Sequence, residues 1–215
     1  MMNGDKFVAK KNFYIDENVI NRNWDMENFH YHNSFEIYYL VSGNRKMLVE
    51  DRVYELCPSD IVLINPNILH RSMNSGAHSR INIVFDNSYL DSYFTKNASE
   101  YLTSCFDTEL IKLNSSENKK FLKFFNELKN GYESNSPCFV GVAEILELFI
   151  KAKKRQKSEF TTQKDLSTMS EKVASVISYI SQNYSTISSI DEIADYCYIN
   201  KSYLCRLFKK ETGLT

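Results

Sequence analysis

Hydrophobic residues in the first 85 positions occur in short runs that turn residues separate. The runs span residues 35–41, 46–49, 61–64 and 80–85, and turn sequences such as Ser42-Gly43-Asn44 stand between them. Short strands at nearly regular spacing are typical of a β-sandwich or a small barrel. The pattern therefore predicts a β-domain in the first half of the chain.

The hydrophobic spacing lengthens to a helical period in the middle of the chain. Apolar residues recur there at i, i+3, i+4 and i+7 in two stripes, which predicts two amphipathic helices. Pro137 precedes the second stripe and suits the start of a helix. Such stripes either cover a sheet or pair with a second copy of the chain, and we expect them to take part in a dimer interface. The residues predicted for this interface are Phe121, Phe124, Phe125, Leu128, Ile145 and Phe149.

A polar segment separates these stripes from the C-terminal part of the chain. Residues 151–157 are rich in lysine, and residues 158–168 have almost no apolar periodicity, which is typical of an interdomain linker. Ser170 suits the N-cap of a further helix, and two more helical segments follow it. The predicted division is 1–113 for the β-domain, 114–156 for its covering helices, 157–169 for the linker and 170–215 for a helical domain.

The last two helical segments have the spacing of a helix-turn-helix. Ile193, Ala194 and Leu204 stand where two helices that cross over a tight turn need small or apolar contacts. Asn200 suits the N-cap of the second helix. Residues 200–210 include four basic residues and no acidic one, although the whole chain has a net charge of −1. A cationic helix face with an arginine is what DNA recognition in the major groove requires.

The sequence of this second helix is similar to that of a known protein family. The run Ser-Tyr-Leu-Cys-Arg-Leu-Phe-Lys-Lys-Glu-Thr-Gly at 202–213 resembles the first helix-turn-helix of the AraC/XylS family of bacterial transcription regulators. The resemblance implies that the chain binds promoter DNA with the outward residues of this helix. These are Ser202, Cys205 and Arg206 in the major groove, with Lys201 and Lys209 at the phosphate backbone. Family DNA-binding domains contain two such units, so we expect the chain to be C-terminally truncated.

A second constellation of polar residues lies in the β-region. The spacing of His30, His32 and Glu36 matches the first motif of the cupin proteins, and His70 falls in a segment that resembles the second motif more loosely. Alternate residues of a strand share one face, so these side chains are expected to converge. This half of the chain resembles the cupin-type sensor domain of AraC-family regulators, which implies an effector-binding barrel over residues 1–113. The predicted effector site consists of His30, His32, Glu36, Tyr38 and His70.

Three interpretations of this constellation are open. The side chains are polar remnants inside a barrel, the binding site of a small effector, or the ligands of a divalent metal ion, for which three imidazoles and one carboxylate are suited. We favour the effector, because convergent polar groups in a barrel are typical of a binding pocket. The family resemblance suggests a carbohydrate. We accordingly expect no cofactor, and a metal bound by His30, His32, Glu36 and His70 is the alternative.

Composition limits the remaining classes of function. The 215 residues are 43% hydrophobic, and five scattered cysteines without a C-x-x-C pair fit a globular protein of the reducing cytoplasm. No run approaches the roughly 18 apolar residues of a membrane helix, so we expect no membrane contact. Nucleotide-binding and nucleophile motifs are absent from the sequence, and we expect no enzymatic activity.

The sequence as a whole predicts an α+β protein. A cupin-like β-barrel with a helical hairpin is followed by an all-α helix-turn-helix segment. The predicted function is that of an effector-responsive transcription regulator that acts as a homodimer on promoter DNA. Two alternatives are a metal-dependent cupin enzyme and a dimerising fragment that blocks a full-length regulator.

Overall fold

The computed structural model describes residues 12–21, 29–50, 52–73, 76–134, 136, 138–160, 171–184 and 186–212. The strands are β1 (Phe13–Ile20), β2 (Phe35–Ser42), β3 (Arg45–Val49), β4 (Arg52–Leu56), β5 (Asp60–Ile64), β6 (His70–Met73), β7 (His78–Phe85) and β8 (Leu110–Lys112). The helices are α1 (Asn87–Asp91), α2 (Lys96–Thr103), a 3-10 turn (Ser104–Asp107), α3 (Ser115–Glu133), α4 (Phe139–Phe160), α5 (Glu171–Asn183), α6 (Ile190–Tyr196) and α7 (Lys201–Thr212).

The strands form two antiparallel sheets that pack face to face. The larger sheet has the strand order β1-β7-β2-β5-β8, and the smaller has the order β4-β3-β6. Alternation along β2 divides its side chains, since Tyr38 and Leu40 pack against Met47 and Val49 of the smaller sheet. The intervening Ile37 and Tyr39 face the helices. The β-domain that the short runs predict is therefore present.

The two sheets do not close into the predicted barrel. Strand β2 pairs with β5 and β7, whereas the β3–β4 hairpin pairs with β6 and makes a sheet of its own. Among the described strands, no ladder joins one sheet to the other. Strand β3 pairs with β4 and β6, and both edges of β2 pair with strands of the larger sheet. The architecture is thus a cupin-like sandwich of two separate sheets.

Helices α3 and α4 cover the outer face of the larger sheet, and this corrects the predicted dimer interface. Five of its six side chains lie inside the hydrophobic core of a single chain, and each is at most 2% exposed. The half-buried Phe124 packs against the same core. The apolar stripes of α3 and α4 predict contact with a second copy, but in the structure they pack on the larger sheet of the same chain. The five buried residues are Phe121, Phe125, Leu128, Ile145 and Phe149.

Helix α4 also changes the predicted linker. It continues to Phe160, so the lysine-rich residues 151–157 are helical, as is the start of the predicted linker. Within α4, Arg155 donates to both carboxylate oxygens of Glu117 at 2.9 and 2.8 Å and thereby ties the end of α4 to the start of α3. The rest of the linker, Ser170 and Pro137 lie outside the described residues.

Helices α5, α6 and α7 form a separate apolar cluster around Val176, Ile193, Ala194 and Leu204. This cluster places α6 and α7 as the two helices of the predicted helix-turn-helix. Among the described helices, none has the length and apolarity needed to cross a bilayer.

The helical part also packs on the β-domain. Val173 and Ile177 of α5 are buried together with Leu48 of β3 and Met73 of β6, on the outer face of the smaller sheet. Leu207 and Phe208 of α7 lie at the edge of this contact. The smaller sheet consequently has the larger sheet on one face and helix α5, with the edge of α7, on the other. We call this contact the sheet–helix joint.

Candidate functional site

Three histidines and a glutamate meet at one end of the space between the sheets. His30 and His32 precede β2, Glu36 lies on β2 and His70 begins β6. Their possible ligand atoms all lie within 4.8 Å of one another. We call these four residues the histidine cluster. The sequence prediction that these side chains converge agrees with their placement.

Backbone hydrogen bonds fix the positions of the histidines. The amide of His30 donates to the carbonyl of His70 at 3.2 Å, and the amide of His70 donates back at 3.0 Å. The amide of Asn67 donates to the carbonyl of His32 at 2.8 Å. The segment before β2 is therefore attached to β6 and to the turn that precedes it. Side chains on such a frame lose little freedom when they bind a ligand.

The ring nitrogens of the cluster have distinct roles. Nδ1 of His32 lies 3.0 Å from the carbonyl of Ser34, and Nδ1 of His70 lies 2.8 Å from the carbonyl of Ile68. A carbonyl oxygen only accepts, so both Nδ1 atoms hold a proton. Nε2 of each ring is then directed at Glu36 Oε2, at 2.9 Å from His32 and 3.4 Å from His70.

These contacts shift the pKa values of the charged groups. Burial acts to raise the pKa of Glu36, but hydrogen bonds from His32 and His70 outweigh it and hold this pKa well below its usual range. For His32, burial acts to lower the pKa, and the hydrogen bond to Glu36 raises it above its usual value. The glutamate is consequently an ionised carboxylate in a buried site, which suits it to bind a cation.

Tyr38, the fifth predicted effector residue, lies farther along the same face of β2. Its side chain is 2% exposed, and its hydroxyl has no hydrogen-bond partner of normal geometry in the described part of the chain. Burial raises its pKa, while Arg45 and Arg80 act in the opposite direction. Tyr38 therefore belongs to a second group of polar side chains in the interior.

We call this second group the arginine cluster, and it consists of Arg45, Ser72, Asn82 and Tyr38. The sequence predicted only Tyr38 of these four residues as part of a site. Arg45 is 1% exposed and donates from Nε and Nη2 to the Ser72 hydroxyl at 3.0 and 2.6 Å. Asn82 lies opposite Tyr38 in the β2–β7 pairing, and its Oδ1 has no described hydrogen-bond partner. A signal existed for Asn82, which interrupts an apolar run. Arg45 follows a turn, and its sequence context gives no signal that it is buried.

The predicted DNA-contacting residues share one side of α7. Lys201, Ser202, Cys205, Arg206 and Lys209 are all exposed, whereas Leu204 is buried. Asn200 caps the helix through Oδ1, which accepts from the amide of Tyr203 at 2.8 Å. The Arg206 guanidinium lies 5.8 Å from the centre of the Tyr203 ring. Lys201 pairs with Asp191 of α6 at 2.8 Å. This arrangement leaves a polar, cationic face available to a macromolecule.

Comparison with known families agrees with both halves of the structure. The family described as the AraC-like ligand binding domain matches residues 19–136, which include strands β2 to β8, the histidine cluster and α3. The chain belongs to the AraC family. Residues 180–215 match the family of bacterial regulatory helix-turn-helix proteins of AraC type, which includes α6 and α7. No curated protein sequence matches the chain significantly.

Solved AraC-type structures are similar over most of the chain. ToxT from Vibrio cholerae O395, bound to (E)-4-(8-methylnaphthalen-1-yl)but-3-enoic acid, is 15% identical with a TM-score of 0.45, and the match covers 94% of this chain and 95% of ToxT. The AraC-like transcriptional activator CuxR is 12% identical with a TM-score of 0.48, over 94% of this chain and 72% of CuxR. A RmlC-like cupin from Shewanella frigidimarina NCIMB 400 is 15% identical with a TM-score of 0.32, over 34% and 64% of the two chains.

The family matches confirm the predicted class of function. This AraC-family protein is a transcription regulator with a cupin-like ligand-binding domain and a helix-turn-helix DNA-binding domain. The predicted mixture of an N-terminal sheet domain and a helical C-terminal part is also confirmed, with the sandwich in place of the closed barrel. The roles of individual residues stay predictions.

Proposed function

We propose that this regulator binds a small effector between its two sheets and transmits the binding to α7 through β6. The observation that supports the proposal is the two-sided environment of β6. His70 and Ser72 lie in the polar interior, whereas Met73 packs against α5 at the sheet–helix joint. A single four-residue strand thus contacts both the candidate effector site and the DNA-binding half.

The mechanism is a shift between two arrangements of the joint. We expect β6 to lie in a slightly different position in each arrangement. An effector that contacts His70 or Ser72 binds one of these positions more tightly, and this difference in affinity shifts the equilibrium towards it. Met73, Val173 and Ile177 are each buried to at least 93%, so a small displacement of β6 cannot leave their packing unchanged. The orientation of α5 and α7 then depends on the effector.

The proposed effector is a small hydroxylated molecule such as a carbohydrate. In the interior, the Tyr38 hydroxyl, which lies beside Ser72, offers a hydrogen-bond donor, and Asn82 Oδ1 offers an acceptor without a described partner. A ligand hydroxyl can accept from the first group and donate to the second. Buried polar groups cost stability until such bonds form, so these two groups favour occupancy of the interior.

The proposed target is promoter DNA in the cytoplasm. The exposed face of α7 would enter the major groove, with Arg206 at a base edge and Lys201 and Lys209 at phosphates. A homodimer remains the proposed assembly, through a surface other than the buried side of α3 and α4. We assign the protein no catalytic reaction.

DNA selection tests the target. Purified chain is incubated with a random duplex library, bound DNA is amplified, and enrichment is compared between wild type and Arg206→Ala. The proposal predicts enriched sequences for the wild type and their loss in the variant. Lys96→Ala removes an exposed cation of α2, which lies outside the helix-turn-helix, and serves as the matched control. Equal enrichment by wild type and Arg206→Ala would contradict the assignment of α7 as the reading helix.

A further inference from the structure

The end of helix α6 places a tyrosine where a glycine is usual. The amide of Ile199 donates to the carbonyl of Ala194 at 3.0 Å, and just before it the amide of Tyr198 donates at 3.1 Å to the carbonyl of the residue three positions earlier. These two hydrogen bonds form a Schellman motif, in which the residue after the C-cap adopts the left-handed conformation. Tyr198 accordingly has a φ of 53°. A bulky side chain crowds the backbone in this conformation, whereas glycine does not.

The residues that follow Tyr198 hold this turn in place. Ile199 packs against the apolar cluster of α5, α6 and α7. Asn200 caps α7 through its side chain, which accepts from the amide of Tyr203. Because both neighbours of the turn are fixed, Tyr198 cannot leave the left-handed conformation without disruption of the helix-turn-helix.

The side chain of Tyr198 makes almost no contact within the chain to offset this crowding. It is 96% exposed. Among the described residues, the other non-glycine positions with a positive φ are Glu50, Ser59 and Asn67, so Tyr198 is the one aromatic residue of this set. Residues held in sparsely populated conformations cluster at functional sites. An exposed aromatic ring in a strained position therefore indicates a contact outside the chain.

Tyr198 lies beside the end of α7 that a DNA-reading helix directs into the groove. Recognition helices contact base edges with their N-terminal residues, while the preceding helix crosses the backbone, so the turn between the two lies near a sugar–phosphate strand. Tyr198 is three residues before the exposed Lys201, in the first turn of α7. Tyrosine is one of the side chains that contact phosphate oxygens. We infer that the Tyr198 hydroxyl donates to a DNA phosphate and helps to orient α7 in the groove.

A phosphate contact by a hydroxyl differs from the other proposed contacts in two ways. It carries no sequence information, so its loss weakens binding to every duplex alike, whereas loss of Arg206 relaxes the preferred sequence. It also neutralises no phosphate charge, so its loss leaves the dependence of affinity on salt unchanged, whereas loss of Lys201 reduces that dependence. The inference rests on the proposed placement of α7 in the major groove.

Three variants of the full chain test the contact by fluorescence anisotropy, on a duplex enriched by the selection and on a random-sequence duplex. We expect Tyr198→Phe, which removes only the hydroxyl, to weaken binding to both duplexes about threefold to tenfold with an unchanged salt slope. Tyr198→Gly should weaken binding at least as much and raise the Tm by about 2–4 °C, because it relieves the crowded backbone. Tyr31→Phe alters a 68% exposed tyrosine outside the helix-turn-helix and serves as the matched control.

Several results would overturn the inference. Equal affinity of the wild type and Tyr198→Phe would exclude the hydroxyl from the interface. A raised Tm with unchanged DNA affinity in Tyr198→Gly would assign the exposed ring to a protein partner instead, and a lowered Tm would contradict the argument from strain. If Arg206→Ala weakens DNA binding and the Tyr198 variants do not, only this inference fails. A wild type that enriches no sequence contradicts the proposed function itself.

Discussion

Replacement of Phe121 by alanine tests whether the apolar stripe of α3 is buried in the core of one chain or at an interface between two chains. The Phe121 ring is fully buried, and its centre lies 4.6 Å from Tyr39, 5.8 Å from Phe149 and 6.3 Å from Phe125. Removal of a buried phenylalanine costs about 3–5 kcal/mol, and the loss of three aromatic neighbours places this site in the upper part of that range. For a chain of this size the corresponding decrease in Tm is about 6–20 °C.

Phe124 is the matched control, one turn away on the same helix. It is only half buried, so Phe124→Ala should cost about 1 kcal/mol. Both variants are compared by thermal unfolding and by sedimentation velocity at several concentrations. We expect Phe121→Ala to lower the Tm strongly and to leave the association constant unchanged. A normal Tm together with weakened self-association would place Phe121 at an interface and refute its assignment to the core.

Three further predictions address the turn, the joint and the reading helix. Gly43 has φ of +85°, and a Cβ there would lie 2.5 Å from the carbonyl oxygen of Ala77, so Gly43→Ala should cost about 1–3 kcal/mol in chemical denaturation. Gly76→Ala, where no described atom lies within 4 Å, should cost much less. Met73→Ala at the sheet–helix joint should lower stability by about 2 kcal/mol and speed amide exchange in α5; unchanged exchange would argue against the joint. Arg206→Ala should weaken specific DNA binding by about 1–3 kcal/mol in a fluorescence titration, and equal affinity would exclude Arg206 from recognition.

Much of the secondary structure could be predicted because local patterns determine it. Alternation in β2 places Glu36, Tyr38 and Leu40 on one face, and the structure has them facing the interior. The helix-turn-helix is equally local, since Asn200 caps its own helix and Leu204 lies one turn inside it. In both elements, the spacing of a few neighbouring residues is sufficient.

Features that depend on distant partners could not be predicted. An apolar stripe that contains Phe121 and Phe125 has the same pattern whether a sheet or a second chain covers it. Whether the sheets close into a barrel depends on which strand pairs with β3. The pairing of Met47 with Ser72 of β6 cannot be predicted from the sequence of either segment alone. Arg45 is similar, because an arginine beside a turn is usually solvated, and only the approach of Ser72 reveals its burial.

The ion pair between Lys201 and Asp191 has a consequence for the energetics of DNA binding. In the proposed DNA complex, Lys201 would reach a phosphate only by leaving the carboxylate of Asp191, which lies 2.8 Å away. Lys201 would then exchange one anionic partner for another, which reduces the net attraction to DNA. Both side chains are at least half exposed, so water and salt screen the pair and its contribution is small. The counterions released from DNA still depend on the number of phosphates neutralised. Asp191 therefore lowers the affinity most at low salt, where the pair is least screened, and acts there as an internal competitor of DNA.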